Sequence, residues 1–242
     1  MANLVVEMGN TALKAAWSEG TTLGKTFRYQ GEKMMEFILS ITGREKPEVM
    51  AVASVRDISP VWEEKLRAQC GHLILLDHNH TDILAGYALP SYLSYDRAAS
   101  VVATRFLFRH KNCTVFDFGT TLNVDFVDAE GRYLGGNVSP GCRTRFKSLN
   151  RYSKSLPLID TPERVVETGQ DIESGIEAGV ISGMLFEVEG YARRRPDNIL
   201  LFTGGDAIYF AKRMKNSIFV VSNLVLMGLA IMTDDYVGKH LS

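Results

Sequence analysis

One pattern occurs twice in this chain. An apolar run stops at an acidic residue two positions before a Gly, a Thr comes next, and a second apolar run begins. The first copy is Leu4 to Val6, then Glu7-Met8-Gly9-Asn10-Thr11, then Leu13, Ala15 and Trp17. The second is Thr114-Val115-Phe116, then Asp117-Phe118-Gly119-Thr120-Thr121, then Val124, Phe126 and Val127. Each reads as strand, tight turn, strand, which is a β-hairpin with a polar tip. Internal duplication is the economical account. It restricts the chain to folds with two related halves, each opening on an antiparallel hairpin.

Beyond each hairpin, strands alternate with helices. After the first, the periodicity predicts a helix around Lys33 to Ile41, a buried strand Val49 to Ser54, a helix Pro60 to Gln69 and a strand His72 to Leu76. Residues 77–90 have mixed polarity, and Arg97 to Phe106 is helical, with Ala98, Val101, Val102 and Phe106 on one side. After the second come the turn Asp128-Ala129-Glu130-Gly131, a strand Tyr133 to Gly136 and the turn Ser139-Pro140-Gly141. Helices are then expected over Arg143 to Asn150 and Gly175 to Tyr191, a strand over Asn198 to Phe202, and a last helix over Leu224 to Met232. This is an α/β chain with mixed sheets. No Pro-rich or Ser-rich linker interrupts it, so the boundary is expected near Arg109 to Asn112, dividing the chain into 1–110 and 111–242.

Composition serves mainly to exclude. With 242 residues, 45% hydrophobic and 23% charged, the chain has the balance of a folded protein. A net charge of -1 supplies no field to hold a polyanion, so nucleic acid is not an expected partner. No apolar run approaches the roughly 18 residues of a membrane span, and the start MANLVVEMGN lacks the basic stretch and apolar core of a signal peptide. Cys70, Cys113 and Cys142 are scattered and odd in number, so neither a disulfide framework nor a metal knuckle is read. A reducing cytoplasm is the expected location.

The hairpin tips carry the chemistry. Gly, Asn and Thr at a turn offer free backbone N–H groups and a hydroxyl, which can surround a phosphate without Lys or Arg. Two such tips facing each other would clamp a phosphate chain. Glu7 and Asp117, beside the tips, could hold a cation that bridges phosphate oxygens. One Gly-containing tip alone reads better as an ordinary turn; the repetition reverses that in favour of the phosphate reading. Thr203-Gly204-Gly205-Asp206-Ala207, between a strand and a helix, would let a nucleotide approach the backbone closely.

These residues resemble the type III pantothenate kinases of the acetate and sugar kinase/Hsp70/actin superfamily, and the resemblance runs nearly end to end. Glu7-Met8-Gly9-Asn10-Thr11 with Lys14 is similar to the family's first phosphate motif, Asp-x-Gly-Asn-Thr followed by Lys, and Asp117-Phe118-Gly119-Thr120 to its second. Between them, Tyr87, Pro90, Leu93, Asp96 and Arg97 match a segment of the form Tyr-x-Asn-Pro-x-x-Leu-Gly-x-Asp-Arg. Tyr133-Leu134-Gly135-Gly136, Ser139-Pro140-Gly141 and Thr203-Gly204-Gly205 lie in the family's order.

The resemblance implies two actin-like (ribonuclease H-like) lobes with mixed central sheets flanked by helices. It implies transfer of a phosphoryl group from ATP to pantothenate, the first step of coenzyme A synthesis. Asp96 would be the general base on the pantothenate hydroxyl, a task suited to a carboxylate. Arg97 would bind the substrate carboxylate through its planar fork. Tyr87, Ser94 and Tyr95 would complete the pocket, although Tyr87 reads equally well as a half-buried core tyrosine. ATP would lie on Glu7, Met8, Gly9, Asn10, Thr11, Ala12, Leu13 and Lys14, on Gly119, Thr120 and Thr121, and on Gly204 and Gly205. Lys14 is either a charge beside the phosphates or a solvated strand residue. Magnesium would accompany ATP, Asp117 would help hold a monovalent cation, K+ or NH4+, and the enzyme would be a homodimer.

Four positions depart from the family pattern. Glu7 replaces Asp, and misplacing a carboxylate by ~1 Å can cost ~100-fold in rate. Ser94 replaces a Gly, which matters if that backbone needs positive φ. Leu122 stands where a small or hydroxyl residue is usual. Ile172 stands where a family Thr reaches pantothenate from the partner subunit, and it cannot donate that hydrogen bond. These departures keep open a nucleotide-binding regulatory homologue without turnover, or a kinase of the same superfamily for another small molecule. Asp77-His78-Asn79-His80 reads as a solvated loop, Arg193-Arg194-Arg195 as an exposed helix end, and Cys142 as a small buried residue.

Overall fold

The computed structural model describes residues 2–80 and 82–241. Its contacts divide the chain into two units, Met1–Leu107 with Asn223–Ser242, and Phe108–Ser222.

The first unit begins with strands β1 (Asn3–Met8), β2 (Leu13–Glu19) and β3 (Thr22–Tyr29). Helix α1 (Met34–Thr42), strand β4 (Val49–Ser54), helix α2 (Pro60–Ala68), strand β5 (His72–Leu76), the short helix α3 (Asp82–Gly86) and helix α4 (Tyr95–Leu107) come next. The sheet order is β3-β2-β1-β4-β5. β1 pairs antiparallel with β2 and parallel with β4, and β4 pairs parallel with β5. β4 is buried at every position, as a central strand covered on both faces should be. One face packs Leu4, Val6, Leu13, Met50 and Val52 on Ile38 and Leu66 of α1 and α2. α2 starts where the sequence offers Ser59 before Pro60, and the Ser59 hydroxyl accepts from Trp62 N–H at 3.4 Å.

The second unit contains β6 (Cys113–Phe118), β7 (Thr121–Val127), β8 (Tyr133–Pro140), α5 (Cys142–Tyr152), α6 (Ile172–Arg194), β9 (Ile199–Gly204), α7 (Ala207–Ala211) and β10 (Ile218–Val220). Its sheet runs β10-β9-β6-β7-β8. Read from the other edge, this is the order of the first sheet, with β6 antiparallel to β7 and parallel to β9. The duplicated hairpin is therefore the visible part of a duplicated sheet. Phe116, Phe118, Phe202 and Phe210 stack at its centre, each almost fully buried.

The chain closes on α8 (Leu224–His240), which buries Leu224, Val225, Leu226, Leu229 and Ala230. It packs on α4 so closely that a Cβ at Gly228 would be driven into the Ala99 carbonyl. This corrects the division into 1–110 and 111–242, because residues 223–242 belong with the first unit. A domain read as one continuous stretch could not anticipate that return. Other elements also differ from expectation. β3 is not evident in the sequence, because its partly exposed pattern lacks clean alternation, and Ser139-Pro140 ends strand β8 instead of forming a turn.

Candidate functional site

In the first unit the β1–β2 turn is closed by Gly9 N–H to the Ala12 carbonyl at 3.0 Å. Asn10 and Thr11 are exposed at its tip, while the side chains of Met8 and Leu13 belong to the core and leave only their backbone for a ligand. Glu7, near the end of β1, lies opposite Lys14, whose Nζ is 3.4 Å from Glu7 Oε2. That contact is an ion pair without hydrogen-bond alignment, and Oε2 has no hydrogen-bond partner. Burial raises the Glu7 carboxyl above its usual value, Lys14 opposes this, and the charge of nearby Asp96 adds to it.

Asp96 lies in the first turn of α4, where a carboxylate suits the helix dipole. Its Oδ1 is shut off from water with no hydrogen-bond partner. A buried carboxylate oxygen without a donor is costly in the free protein. Hard oxygens of this kind fit Mg2+ or a substrate hydroxyl. Arg97 is half-buried in the same turn. Ser94 is the residue before α4, and its carbonyl accepts the first helical bond from Ala98 N–H at 2.8 Å. Among the described residues the left-handed non-glycine ones are Ala88 and His110, so Ser94 adds no such strain, and serine is an ordinary choice at that position.

Tyr95 is buried, and burial and then the charge of Asp77 push its hydroxyl up. Asp77 is fully buried after β5. Burial would raise it, but hydrogen bonds from His80, Asn79 N–H and Ile58 N–H hold it below the usual carboxylate range. His80 Nδ1 lies 2.7 Å from Asp77 Oδ1, so this loop is anchored and is not merely solvated. Tyr87 is half-buried and donates its hydroxyl to Asp235 Oδ2 at 2.8 Å.

In the second unit, Asp117 lies in β6 opposite Asn123 of β7 and Thr203 of β9. Gly204 has φ 91°, and a Cβ there would collide with Asp117 Oδ1 and the Phe118 backbone. Only glycine permits this approach, which sets the Gly-Gly loop directly against the second tip. The tip is closed by Gly119 N–H to Thr121 O at 3.0 Å. The start of α5 supports it: Gly141 N–H reaches Thr120 O at 3.0 Å and the Thr144 hydroxyl reaches the same oxygen at 2.6 Å. Asp206 N–H donates to Phe118 O at 3.2 Å. Gly141, Thr144 and Asp206 thus shape the tip, and only the Pro-Gly and Gly-Gly signals hinted at it.

Leu122 is fully buried, so that position faces the core and could not present a hydroxyl to the tip. Thr121 carries the hydroxyl instead and donates to Asn123 Oδ1 at 3.2 Å. Ile172 is 61% exposed in the first turn of α6, behind an Asp171–Ser174 capping box. It borders a cavity of about 850 Å³ walled by Leu149, Tyr152, Leu156, Ile176 and Val180.

Among the described residues no three His, Cys, Asp or Glu side chains form a metal-holding group, so oxygens of a ligand would have to complete a cation's shell. Asp117 Oδ1 and the Phe118 carbonyl oxygen both crowd the Gly204 Cα, and hard oxygens of this kind are compatible with K+ or NH4+. Among the described residues no helix is long and apolar enough to cross a membrane.

Comparison with known proteins points the same way. Residues 3–194 match a family described as type III pantothenate kinase. A type III pantothenate kinase of Phocaeicola vulgatus is 35% identical over 232 residues, covering 94% of this chain and 96% of that protein. Among solved structures, the activator of 2-hydroxyisocaproyl-CoA dehydratase from Clostridium difficile, with bound ADPNP, superposes with a TM-score of 0.59 at 14% identity, over 100% of this chain and 97% of that one. A ROK hexokinase from Thermus thermophilus does so with a TM-score of 0.53 at 11% identity, over 96% and 98%. At such identities these two likenesses concern the fold, which is the two-lobed α/β architecture of actin-like ATPases and sugar kinases.

Proposed function

We propose a division of labour that proceeds from one premise: this chain belongs to the type III pantothenate kinase family. It is an enzyme that transfers the γ-phosphoryl group of ATP to the primary hydroxyl of pantothenate, giving phosphopantothenate for coenzyme A synthesis.

Asp96 is the general base in this reading. The observation that carries it is Oδ1, a buried carboxylate oxygen that no protein group satisfies. A substrate hydroxyl placed there donates to it in the ground state and gives up its proton as the new P–O bond forms. Arg97, next along α4, takes the pantothenate carboxylate in a bidentate pair. The backbone of Gly9 to Ala12 and the Thr11 hydroxyl are groups suited to phosphate oxygens, as are Gly119, Thr120 and Thr121, and Gly204 and Gly205 leave room for the adenosine side. Lys14 supplies positive charge beside Glu7. Mg2+ bound with ATP would supply charge neutralisation at the transferring phosphate, with Glu7 as the residue to hold it. Asp117 holds a monovalent cation, K+ or NH4+.

A homodimer and a cytoplasmic location belong to the same reading. Supporting the dimer, Tyr152, Ile172 and Phe186 of the second unit are 82%, 61% and 66% exposed.

The test is purified protein with ATP, Mg2+, K+ and pantothenate. Phosphopantothenate should form, and Asp96→Asn should lower kcat by about 100-fold or more, the usual worth of a general base. A second reading, nucleotide binding without turnover, is favoured by Glu7, whose carboxyl is one methylene longer than the family's and paired with Lys14. ADP-analogue binding with no product at any pantothenate concentration would establish it.

A further inference from the structure

The first tip is held from outside its own hairpin. β1 and β4 run parallel and end together, with Met8 opposite Ser54, and Val55 N–H extends the pairing to Met8 O at 3.1 Å. The buried Ser54 hydroxyl then takes both backbone groups of Arg56, accepting from its N–H at 3.1 Å and donating to its carbonyl at 2.6 Å. A hydroxyl can do both at once, so the Arg56 backbone is pinned at the strand end. Its side chain reaches back to the tip, where Nη2 donates to the Asn10 carbonyl at 2.9 Å.

That bond sets the peptide between Asn10 and Thr11. In a trans peptide the carbonyl and the N–H point to opposite sides, so with Asn10 O turned to Arg56 the Thr11 N–H is turned away from the β4–α2 loop. A cation on the carbonyl oxygen also polarises the amide and makes its N–H the stronger donor. Lys14, the hairpin's own cation, is paired with Glu7. Among the described residues Arg56 is in no ion pair, so its charge is left to act on an anion at the tip. The carboxyl ends of parallel strands are where open α/β sheets take ligands. At this end Glu7 Oε2 is buried without a partner, as is Oδ1 of Asp96, whose charge acts on Glu7.

We propose that Arg56 is a positioning residue for ATP: through the Asn10 carbonyl it holds the Thr11 N–H for a phosphate oxygen, and its charge favours the anion there. That phosphate meets the first tip at all belongs to the function proposed above, on which this inference rests. It adds a cation from the β4–α2 loop, which lies outside both hairpins and carries none of the motif residues.

Binding of AMPPNP to the full chain, with Mg2+ and without pantothenate, tests it directly, and steady-state kinetics separate the two substrates. Arg56→Ala should weaken AMPPNP about threefold to tenfold, the range for losing one exposed hydrogen bond from a charged group. KM for ATP should rise by a like factor with KM for pantothenate unchanged. The dependence of AMPPNP binding on salt should become shallower, which the loss of a merely structural contact would not cause. Arg56→Lys keeps a charge and a donor and should recover part of the affinity, whereas Arg56→Gln keeps a donor without the charge and should retain the shallow salt dependence. Wild-type AMPPNP affinity in Arg56→Ala, a rise confined to the pantothenate KM, or an unaltered salt dependence would overturn the proposal. Thermal melts check that the variants fold, and if Arg56→Ala does not, Arg56→Lys binding AMPPNP no better than Arg56→Gln overturns it equally. A wild type that binds AMPPNP and makes no phosphopantothenate removes the kinase reading and leaves the binding test of Arg56 in force. A wild type that does not bind AMPPNP removes both, and an active wild type with an indifferent Arg56 removes this inference alone.

Discussion

Glu7 carries the sharpest tension between folding and function. Burial lifts its carboxyl above the ordinary value of 4.5, Lys14 only partly offsets this, and Asp96 is close enough to add repulsion. An acid whose folded pKa is raised contributes stability that is fully present below its unfolded pKa and is lost as pH rises through the folded one. The ligand-free protein should therefore lose this contribution from pH about 4.5 upward, and Glu7→Gln should flatten that part of the stability curve. Thermal melts across the range check it: a variant with the same slope as the wild type would show that Glu7 is not the group responsible. The residues of this site are unequally legible in the sequence. Asp96, Asp117 and the tip residues stand in spaced motifs, so chemistry at those positions can be read from order alone. Thr144 cannot, because its partner, Thr120, is reached through packing of elements far apart in sequence. Leu122 looks like a lost hydroxyl only because a linear motif does not say which side of a strand faces the core.

At the scale of elements, α8 shows how a helix can be legible while its place is not. Its apolar stretch gives away the helix, yet nearly every side of its first three turns is buried, so no face announces a partner. The contact that fixes it is the close approach of Gly228 to Ala99 in α4. Both helices are well packed there, and an added methyl must push backbone against backbone. Gly228→Ala should cost about 1 to 3 kcal/mol, the range for overpacking a core without room to relax. The check is chemical denaturation, with the transition midpoint falling and its slope unchanged. Because α4 carries Asp96 and Arg97, the same substitution should also raise KM for pantothenate; a destabilised protein with wild-type kinetics would mean that α4 holds its place without α8. The strands hidden in the sequence, β3 and β10, share a physical reason. No residue of β3 is buried and β10 has three residues, so neither carries enough alternation to be read.

At the scale of the whole molecule, the duplicated sheet order implies two cores that can be considered separately. The second unit, Phe108–Ser222, is continuous in sequence, and its aromatic centre of Phe116, Phe118, Phe202 and Phe210 is supplied entirely from within it. The first is discontinuous, since the helix that covers α4 arrives only after the second unit is complete. Removing α8 would uncover the face of α4 around Ala99 together with the strands on which α8 packs. An apolar surface of that extent is not tolerated on a free domain, while a continuous domain with its own core can fold alone. A fragment of residues 108–222 should therefore unfold cooperatively and give dispersed amide resonances, whereas residues 1–107 should aggregate or remain molten. Supplying residues 223–242 to the second fragment, by fusing them through a flexible Gly/Ser linker, should restore a cooperative transition. If residues 1–107 fold unaided, α8 is an accessory, and the return of the chain to its first unit has a functional reason without a structural one.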